Sequence, residues 1–494
     1  MDIILFAIEG YRPIVKGNVV RNTKLTMEKF IRGIFCPPTG PYLQYKCPNR
    51  LTDEVFSSLK RVGINRLFGF GFDSRPETIK KTLELCEKYD IGYYPSLPSA
   101  GEYISLGSDG HRSFQELSEK EKEELDNRFI KEVRGFLNFS SFKGIFFSDE
   151  VGYLSLDGLA HAKKVFSREF PNLEFFFNFY SYSINEAIFW GGMELSRHPE
   201  LPYKPSFPLK GDMAIKFENR FHYYDVLVEK LLSQTPFEYV SQDKYPFEPF
   251  WESVPASVHV ALFELNAYFA EKKRKYHFSY FNYLQAGQWA TGSARKKLTK
   301  GEMWLQVNVT LGYGHQGFSY FPGCYPIDFV LDPAMNGKQY GEAGLIDING
   351  KRGEIYPYVL ELESFYKRIE KDLLQSKFLG VEARGEYQNG FDKKKIKTLP
   401  DNECIFVGEL PPFCEYKNPS IKTASSNEIM ISSFSLNKKR NYFITNLSSV
   451  YENEVDIDLT EGKYHLIQGG TKEETGNRFH LVLLPGEAVY LKED

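Results

Sequence analysis

Residues 143–150, KGIFFSDE, carry the pattern that decides the fold: a short apolar run, Gly144 to Phe147, that stops abruptly at Ser148, Asp149 and Glu150. A run this short without polar alternation reads as a strand covered on both faces, as in a parallel sheet between two layers. The same grammar recurs on either side, at GIFC (33–36), INRLFGFG (64–71), IGYYPSLP (91–98), LEFFFNFY (173–180), FEYVSQDKY (237–245), YHFSYFNYLQ (276–285) and QGFSYF (316–321). Between these runs lie longer polar-apolar stretches with helix-start signals. Ser74 with Glu77, Ser118 with Glu121 and Thr299 with Glu302 match the capping box, in which a hydroxyl and a carboxylate satisfy unpaired amides.

Eight such units predict an α/β chain, a TIM (β/α)8 barrel over residues 31–375, with the helical stretch 353–377 closing it. Beyond residue 375 the rhythm changes to short alternating runs, EIMISSFS, NYFITNLSS, EVDIDL, YHLIQG and HLVLLPGEAVYL among them, and ECIFVGEL at 403–410 has the same character. This alternation predicts a C-terminal antiparallel β-sandwich over 376–494. Residues 1–30 do not follow the βα pattern and are expected to form an N-terminal extension, a hairpin or an edge strand.

Composition narrows the function. With 494 residues and 42% hydrophobic residues the chain can bury a large core, and a formal charge of -4 supplies no positive field for nucleic acid or an anionic membrane. No apolar segment reaches the roughly 18 to 20 residues that span a bilayer. The start, MDIILFAIEGYRP, is acidic at Asp2 and interrupted by Glu9 and Arg12, unlike a secretory signal. Six cysteines without a CxxC pair fit reduced thiols. The expectation is a cytoplasmic protein with no metal and no cofactor, no nucleic-acid or membrane partner, and homo-oligomerisation left open. Gly312, Gly314 and Gly317 spell GxGxxG, but they follow a helix and precede a strand, the reverse of a dinucleotide site, and read as a helix stop.

In a barrel of this kind the working residues sit at the carboxyl ends of the strands, where the loops converge. Strand four ends in Asp149 and Glu150, strand five in Asn178 and Tyr180, and strand six in Asp243 and Tyr245. Strand seven supplies Asn282, Tyr283, Gln285 and, beyond it, Trp289; strand eight supplies Tyr320 and a loop with Tyr325 and Asp328. Carboxylates and amides match sugar hydroxyls, and aromatic faces cover the C–H face of a pyranose. Adjacent acids closing a buried strand must be solvated, paired or used. Glu150, next to Phe146 and Phe147, is the expected general acid, with Asp149 or Asp243 as second carboxylate. Asn178, Tyr180, Tyr245, Asn282, Gln285, Trp289 and Tyr320 are the expected sugar contacts.

KGIFFSDEVGY on strand four, VSQDKYPF on strand six and GEMWLQVNVTLGYGHQGFSYF across the last helix and strand resemble (β/α)8-barrel glycoside hydrolases with a C-terminal β-sandwich, broadly the β-galactosidase and cellulase clan. The likeness spans residues 31–494 at the level of architecture. It implies hydrolysis of O-glycosidic bonds in short oligosaccharides, with the family's acid/base glutamate falling on Glu150. The clan has Asn before this Glu, where this chain has Asp149, and a nucleophilic Glu on strand seven, where FSYFNYLQAGQW has no carboxylate. The Asp-Glu pair is similar to substrate-assisted hexosaminidases, in which the Asp orients a 2-acetamido group that itself attacks. A non-catalytic carbohydrate-binding barrel is the alternative from a different class.

Overall fold

The structure is a computed structural model that describes residues 30–41, 48–69, 75–106, 112–180, 186–197, 220–243, 245–247, 260–287, 298–324, 344–385, 416–469 and 473–494. Eight parallel strands lie among them: β1 Ile31–Phe35, β2 Arg66–Phe68, β3 Gly92–Tyr94, β4 Gly144–Ser148, β5 Glu174–Phe179, β6 Tyr239–Asp243, β7 Ser279–Gln285 and β8 Gly317–Phe321. They run in the order β3-β2-β1-β8-β7-β6-β5-β4. The two ends meet: the Tyr93 amide donates to the Ser141 carbonyl at 2.8 Å and the Phe146 amide to the Pro95 carbonyl at 3.2 Å, which closes the barrel. Seven of the eight expected runs contain one of these strands, and GIFC (33–36) overlaps β1, which starts two residues earlier.

Helices α1 Asp53–Arg61, α2 Pro76–Tyr89, α3 Pro98–Ile104, α4 Glu119–Arg134, α5 Leu156–Glu169, α6 Glu186–Arg197, α7 Arg220–Gln234, α8 Leu265–Tyr276, α9 Lys300–Gly312 and α10 Tyr356–Gln375 accompany the strands. The Ser118 and Thr299 capping boxes form as the sequence requires. At α2 the cap is Arg75, with no side-chain hydrogen bond and Pro76 in the first turn; Ser74 lies outside the described residues. The helix stop after α9 also forms, with Gly314 at φ 72°. No helix among the described residues is long and apolar enough to cross a membrane.

Strand side chains alternate between two dry layers. Phe35, Phe68, Phe146, Phe176, Tyr239, Phe281 and Tyr283 point into the barrel and form one cluster. Ile34, Leu67, Ile145, Phe147, Phe175, Phe177, Val240 and Phe318 point outward and belong to the core shared with the helices. The interior packs ring on ring, Phe68 on Phe281 at 5.3 Å and Phe176 on Tyr239 at 4.5 Å between centroids. Filling a barrel with rings accounts for part of the 16% of the chain that is Phe, Trp or Tyr. Glu174, at the amino-terminal end of β5, closes the floor by accepting hydrogen bonds from Tyr94 and Tyr239 beside Arg66.

The chain then forms nine further strands: β9 Lys377–Arg384, β10 Ile421–Ser425, β11 Ile429–Leu436, β12 Lys439–Asn446, β13 Asn453–Leu459, β14 Tyr464–Ile467, β15 Glu473–Gly476, β16 Arg478–Leu483 and β17 Ala488–Glu493. Their pairing is antiparallel, in a six-stranded sheet β15-β14-β17-β12-β11-β9 and a three-stranded sheet β10-β13-β16. Ile431, Ile444, Val489 and Leu491 of the larger sheet and Ile457 and Leu481 of the smaller share one apolar core, which makes this a sandwich. The other face of the larger sheet, with Met430, Phe443 and Tyr490, joins the barrel core. Residues 301–312 of α9 are buried all round because this helix lies between barrel strands and sandwich. Of the expected extension at 1–30, Phe30 is buried in the barrel core, and residues 1–29 lie outside the described residues, as do the loop residues Tyr325 and Asp328 and the run at 403–410.

One buried ion pair ties the first strand to the last barrel helix. Arg32 of β1, 5% exposed, meets Glu363 at 3.1 Å and Glu370 at 2.9 Å on α10. Removing Arg32 leaves Glu370 without its cation and Glu363 with the largely exposed Lys367 at 3.3 Å as its remaining one, both in a dry layer. Arg32→Met is therefore expected to lower the unfolding free energy by about 3–5 kcal/mol in urea denaturation; a loss below about 1 kcal/mol would mean that water reaches the two glutamates.

Candidate active site

The site begins where β4 stops. Ser148 is the last strand residue, and the backbone then turns through Glu150 in the left-handed region, at φ 50°. A glutamate there costs on the order of 1–2 kcal/mol, so the surroundings must hold it. Two contacts do so. The Glu150 amide donates to the Asn178 carbonyl at 2.9 Å, and the backbone of α6 presses on the far side of the turn. A Cβ on Gly152 would lie 2.2 Å from the Gly192 nitrogen, and one on Gly192 would lie 2.2 Å from the Glu150 carbonyl oxygen. Only glycine allows that approach.

Asn178, on the inward face of β5 and 2% exposed, is the hub of the polar cluster. Its amide nitrogen donates to Asp149 at 2.9 Å and to Asp243 at 3.0 Å, and its side-chain oxygen accepts from the Ser241 hydroxyl at 2.9 Å. The period-two alternation of parallel strands brings these groups together, because Asn178, Ser241, Asp243 and Tyr245 all stand at inward positions.

Asp243 is half-buried, and burial pushes its pKa up to about 6 against the opposing pull of hydrogen bonds with Asn178, Glu150 and Tyr245. Burial, with Asp243, Asp149 and Glu150 nearby, holds the Tyr245 phenol well above its usual range. Tyr283 is raised likewise, by burial first and then by Asp149 and Asp243. Tyr245 stacks on Phe321 at 5.4 Å, and Phe35 links Phe321 at 5.6 Å to Tyr283 at 5.1 Å. The carboxyl groups therefore sit beside aromatic side chains at the carboxyl ends of the strands.

Of the residues expected from sequence, Asp149, Glu150, Asn178, Asp243 and Tyr245 come together. Tyr180 is half-buried just past β5 and packs against the helix-side core. Asn282 and Tyr320 stand at outward positions: Asn282 accepts from Gln242 at 2.9 Å, and Tyr320 lies against Phe318 and near Arg32 and Glu363. Gln285 accepts the Phe247 amide at 2.7 Å and so pins the segment after β6. Trp289 lies outside the described residues. Ser241, Phe35 and Phe321 escaped the sequence reading, although counting back two from Asp243 reaches Ser241. Among the described residues no group of three or more His, Cys, Asp or Glu side chains is arranged to hold a metal ion.

Fold and site together define a (β/α)8 barrel with acidic and aromatic side chains at its mouth and an attached β-sandwich. No protein-family profile matches the chain, and no curated protein matches it. Among solved structures it is similar to a family 39 glycoside hydrolase from the gut symbiont Bacteroides cellulosilyticus WH2, at 11% identity over 94% of this chain and 80% of that one, with a TM-score of 0.48. It is also similar to a β-galactosidase from the psychrophilic Marinomonas ef1 (10% identity, 70% of this chain and 62% of that one, TM-score 0.45). A third is a family 1 β-glucosidase from Thermotoga maritima (11% identity, 69% and 98%, TM-score 0.39). At these identities the chemistry has to be read from the side chains.

Asp243 gives a stability test. A carboxyl whose pKa is raised to about 6 on folding favours the folded state when protonated, so its contribution falls as pH rises from about 4 through 6 and is lost above. Asp243→Asn cannot ionise. Relative to the parent protein, the variant should gain on the order of 1–2 kcal/mol between about pH 4.5 and pH 7.5, read as a widening difference in Tm. A difference independent of pH would show that Asp243 titrates normally.

Proposed function

We propose that this chain is a glycoside hydrolase of short oligosaccharides, in which Glu150 is the general acid and Asp243 the second catalytic carboxylate. One observation carries the reading: Asp149 and Asp243 converge on the Asn178 amide at 2.9 and 3.0 Å, with Glu150 beside Asp243 at the mouth of the barrel. Two ionised carboxylates have no donor, so the contact needs a proton. Asn178 donates to Asp243 at 3.0 Å, which makes Asp243 the acceptor of the pair. We assign the proton to Glu150 on that ground.

Glycoside cleavage asks for that division of labour. Glu150 protonates the bridging oxygen of the leaving sugar, and ionised Asp243 stabilises the oxocarbenium-like centre that develops as the bond breaks. Glu150, now a carboxylate, takes a proton from the incoming water. The rings of Tyr245 and Phe321, both half-buried, offer faces to the apolar side of a pyranose. Asp149 is tied to the same amide as Asp243 and fixes the turn that aims Glu150. Among the described residues, the buried thiols of Cys36, Cys86 and Cys324 lie outside any disulfide, in keeping with a cytoplasmic setting.

The contact also favours a second reading. Retaining enzymes hold their carboxyl groups about 5–5.5 Å apart and inverting enzymes about 6.5–9.5 Å, both farther than a hydrogen bond. A sugar that supplies its own 2-acetamido nucleophile needs only an acid and an adjacent carboxylate to orient the amide, which suits a touching pair.

A panel of chromogenic α- and β-glycosides, with and without a 2-acetamido group, separates the readings. The proposal expects release from at least one member, and Glu150→Gln is expected to lower kcat by about 10²–10⁴-fold. Turnover confined to 2-acetamido sugars selects the substrate-assisted route. Full turnover by Glu150→Gln would remove Glu150 from the role. Sugar binding without release across the panel, unchanged in Glu150→Ala, would make the chain a carbohydrate-binding protein.

A further inference from the structure

Every polar group of Asn178 faces a protein partner. Its two amide hydrogens go to Asp149 and Asp243, its side-chain oxygen takes the Ser241 hydroxyl, and its main-chain carbonyl takes the Glu150 amide. At 2% exposure it offers no surface to a ligand, although sequence alone makes it a sugar contact. We infer that Asn178 is a positioning residue, whose amide holds Asp149 and Asp243 as hydrogen-bond acceptors so that the proton of the touching carboxyl pair rests on Glu150. This assignment rests on the glycosidase reading for its catalytic meaning, but the placement of the proton does not.

The physical logic is a competition over Asp243. Burial favours its neutral form, and donated hydrogen bonds favour its charged form. Of those bonds, the one from Asn178 weighs most, ahead of Glu150 and Tyr245. Without it, Asp243 would compete with Glu150 for the same proton, and the acid would lose its assigned donor. The two acids set the amide's sense, because only its nitrogen can donate to them; its oxygen faces the Ser241 hydroxyl, whose proton is shared between that oxygen at 2.9 Å and the Phe177 carbonyl at 3.0 Å. Among the described residues, the titratable groups around this hub are Asp149 and Glu150 beyond β4, Asp243 and Tyr245 on and beyond β6, Tyr280 and Tyr283 on β7 and Tyr224 on α7, with Cys36 next to Tyr283.

The test is a carbon-13 NMR titration of carboxyl-labelled aspartate in the full-length chain, without substrate. In the parent protein one aspartate should titrate near 6, and it should vanish in Asp243→Asn. Asn178→Ala should move that titration up by about one pH unit or more, and Ser241→Ala, a milder change that removes the hydroxyl at the amide oxygen, should move it the same way by less. An unmoved titration in both variants would overturn the inference, whether or not any glycoside is cleaved. Where the panel supplies a substrate, a second readout follows. Asn178→Ala should lower kcat by about 10²-fold or more and shift the acidic limb of kcat/KM upward, with KM within about threefold of the parent. A KM raised more than about tenfold with an unshifted profile would mean that Asn178 holds the sugar after all.

Discussion

The site depends on one constraint: two carboxyl groups in contact at the mouth of a barrel cannot both be ionised until a positive centre, such as the one that develops on a sugar as its bond breaks, stands beside them. Glu150 and Asp243 meet that constraint with help from outside the pair. Asn178 and Tyr245 support the charge on Asp243, and the low-dielectric, ring-lined surroundings oppose it. The balance leaves an acid whose proton is stored next to a carboxylate that needs it less, which is a workable arrangement for donating a proton to a leaving oxygen near neutral pH. Neither residue could do this alone at the end of an isolated strand.

The rest of the fold can be understood as what keeps that pair in place. The aromatic interior, from Phe68 on Phe281 down to Tyr239 beside Glu174, fills the barrel below the site with rigid side chains. The left-handed Glu150 is confined between the Asn178 carbonyl and the glycine contact of Gly152 with Gly192. Strain at that turn is affordable because the layers around it are dry and closely packed. On the far side, α9 and α10 are clamped between barrel and sandwich, and Arg32 binds α10 to the strand next to β8.

Much of this was legible in the sequence. Doubly covered strands announce themselves as unbroken apolar runs, and the acids of strand four stand out because only Ser148 separates them from such a run. The capping boxes at Ser118 and Thr299 are local chemistry and need no tertiary knowledge. The misplacements have one physical origin. Asn282 and Tyr320 were chosen for their polarity, yet each stands one residue away from an inward position, and a strand turns adjacent side chains to opposite faces. Tyr283 and Phe321 hold the inward places. The closing of Asp149, Asn178 and Asp243 around one amide lay beyond sequence reasoning, because it joins three strands through a register that only the closed barrel fixes. So did the inaccessibility of Asn178, whose residue type suggests a sugar ligand until its partners are counted.

The most direct test of the central claim is isotope-edited infrared spectroscopy of the unliganded protein at neutral pH, with glutamate carboxyls labelled. The account predicts a C=O stretch from a protonated carboxyl that shifts with the label, persists in Asp149→Asn and disappears in Glu150→Gln. A spectrum with no protonated glutamate, or one that Glu150→Gln leaves unchanged, would contradict it.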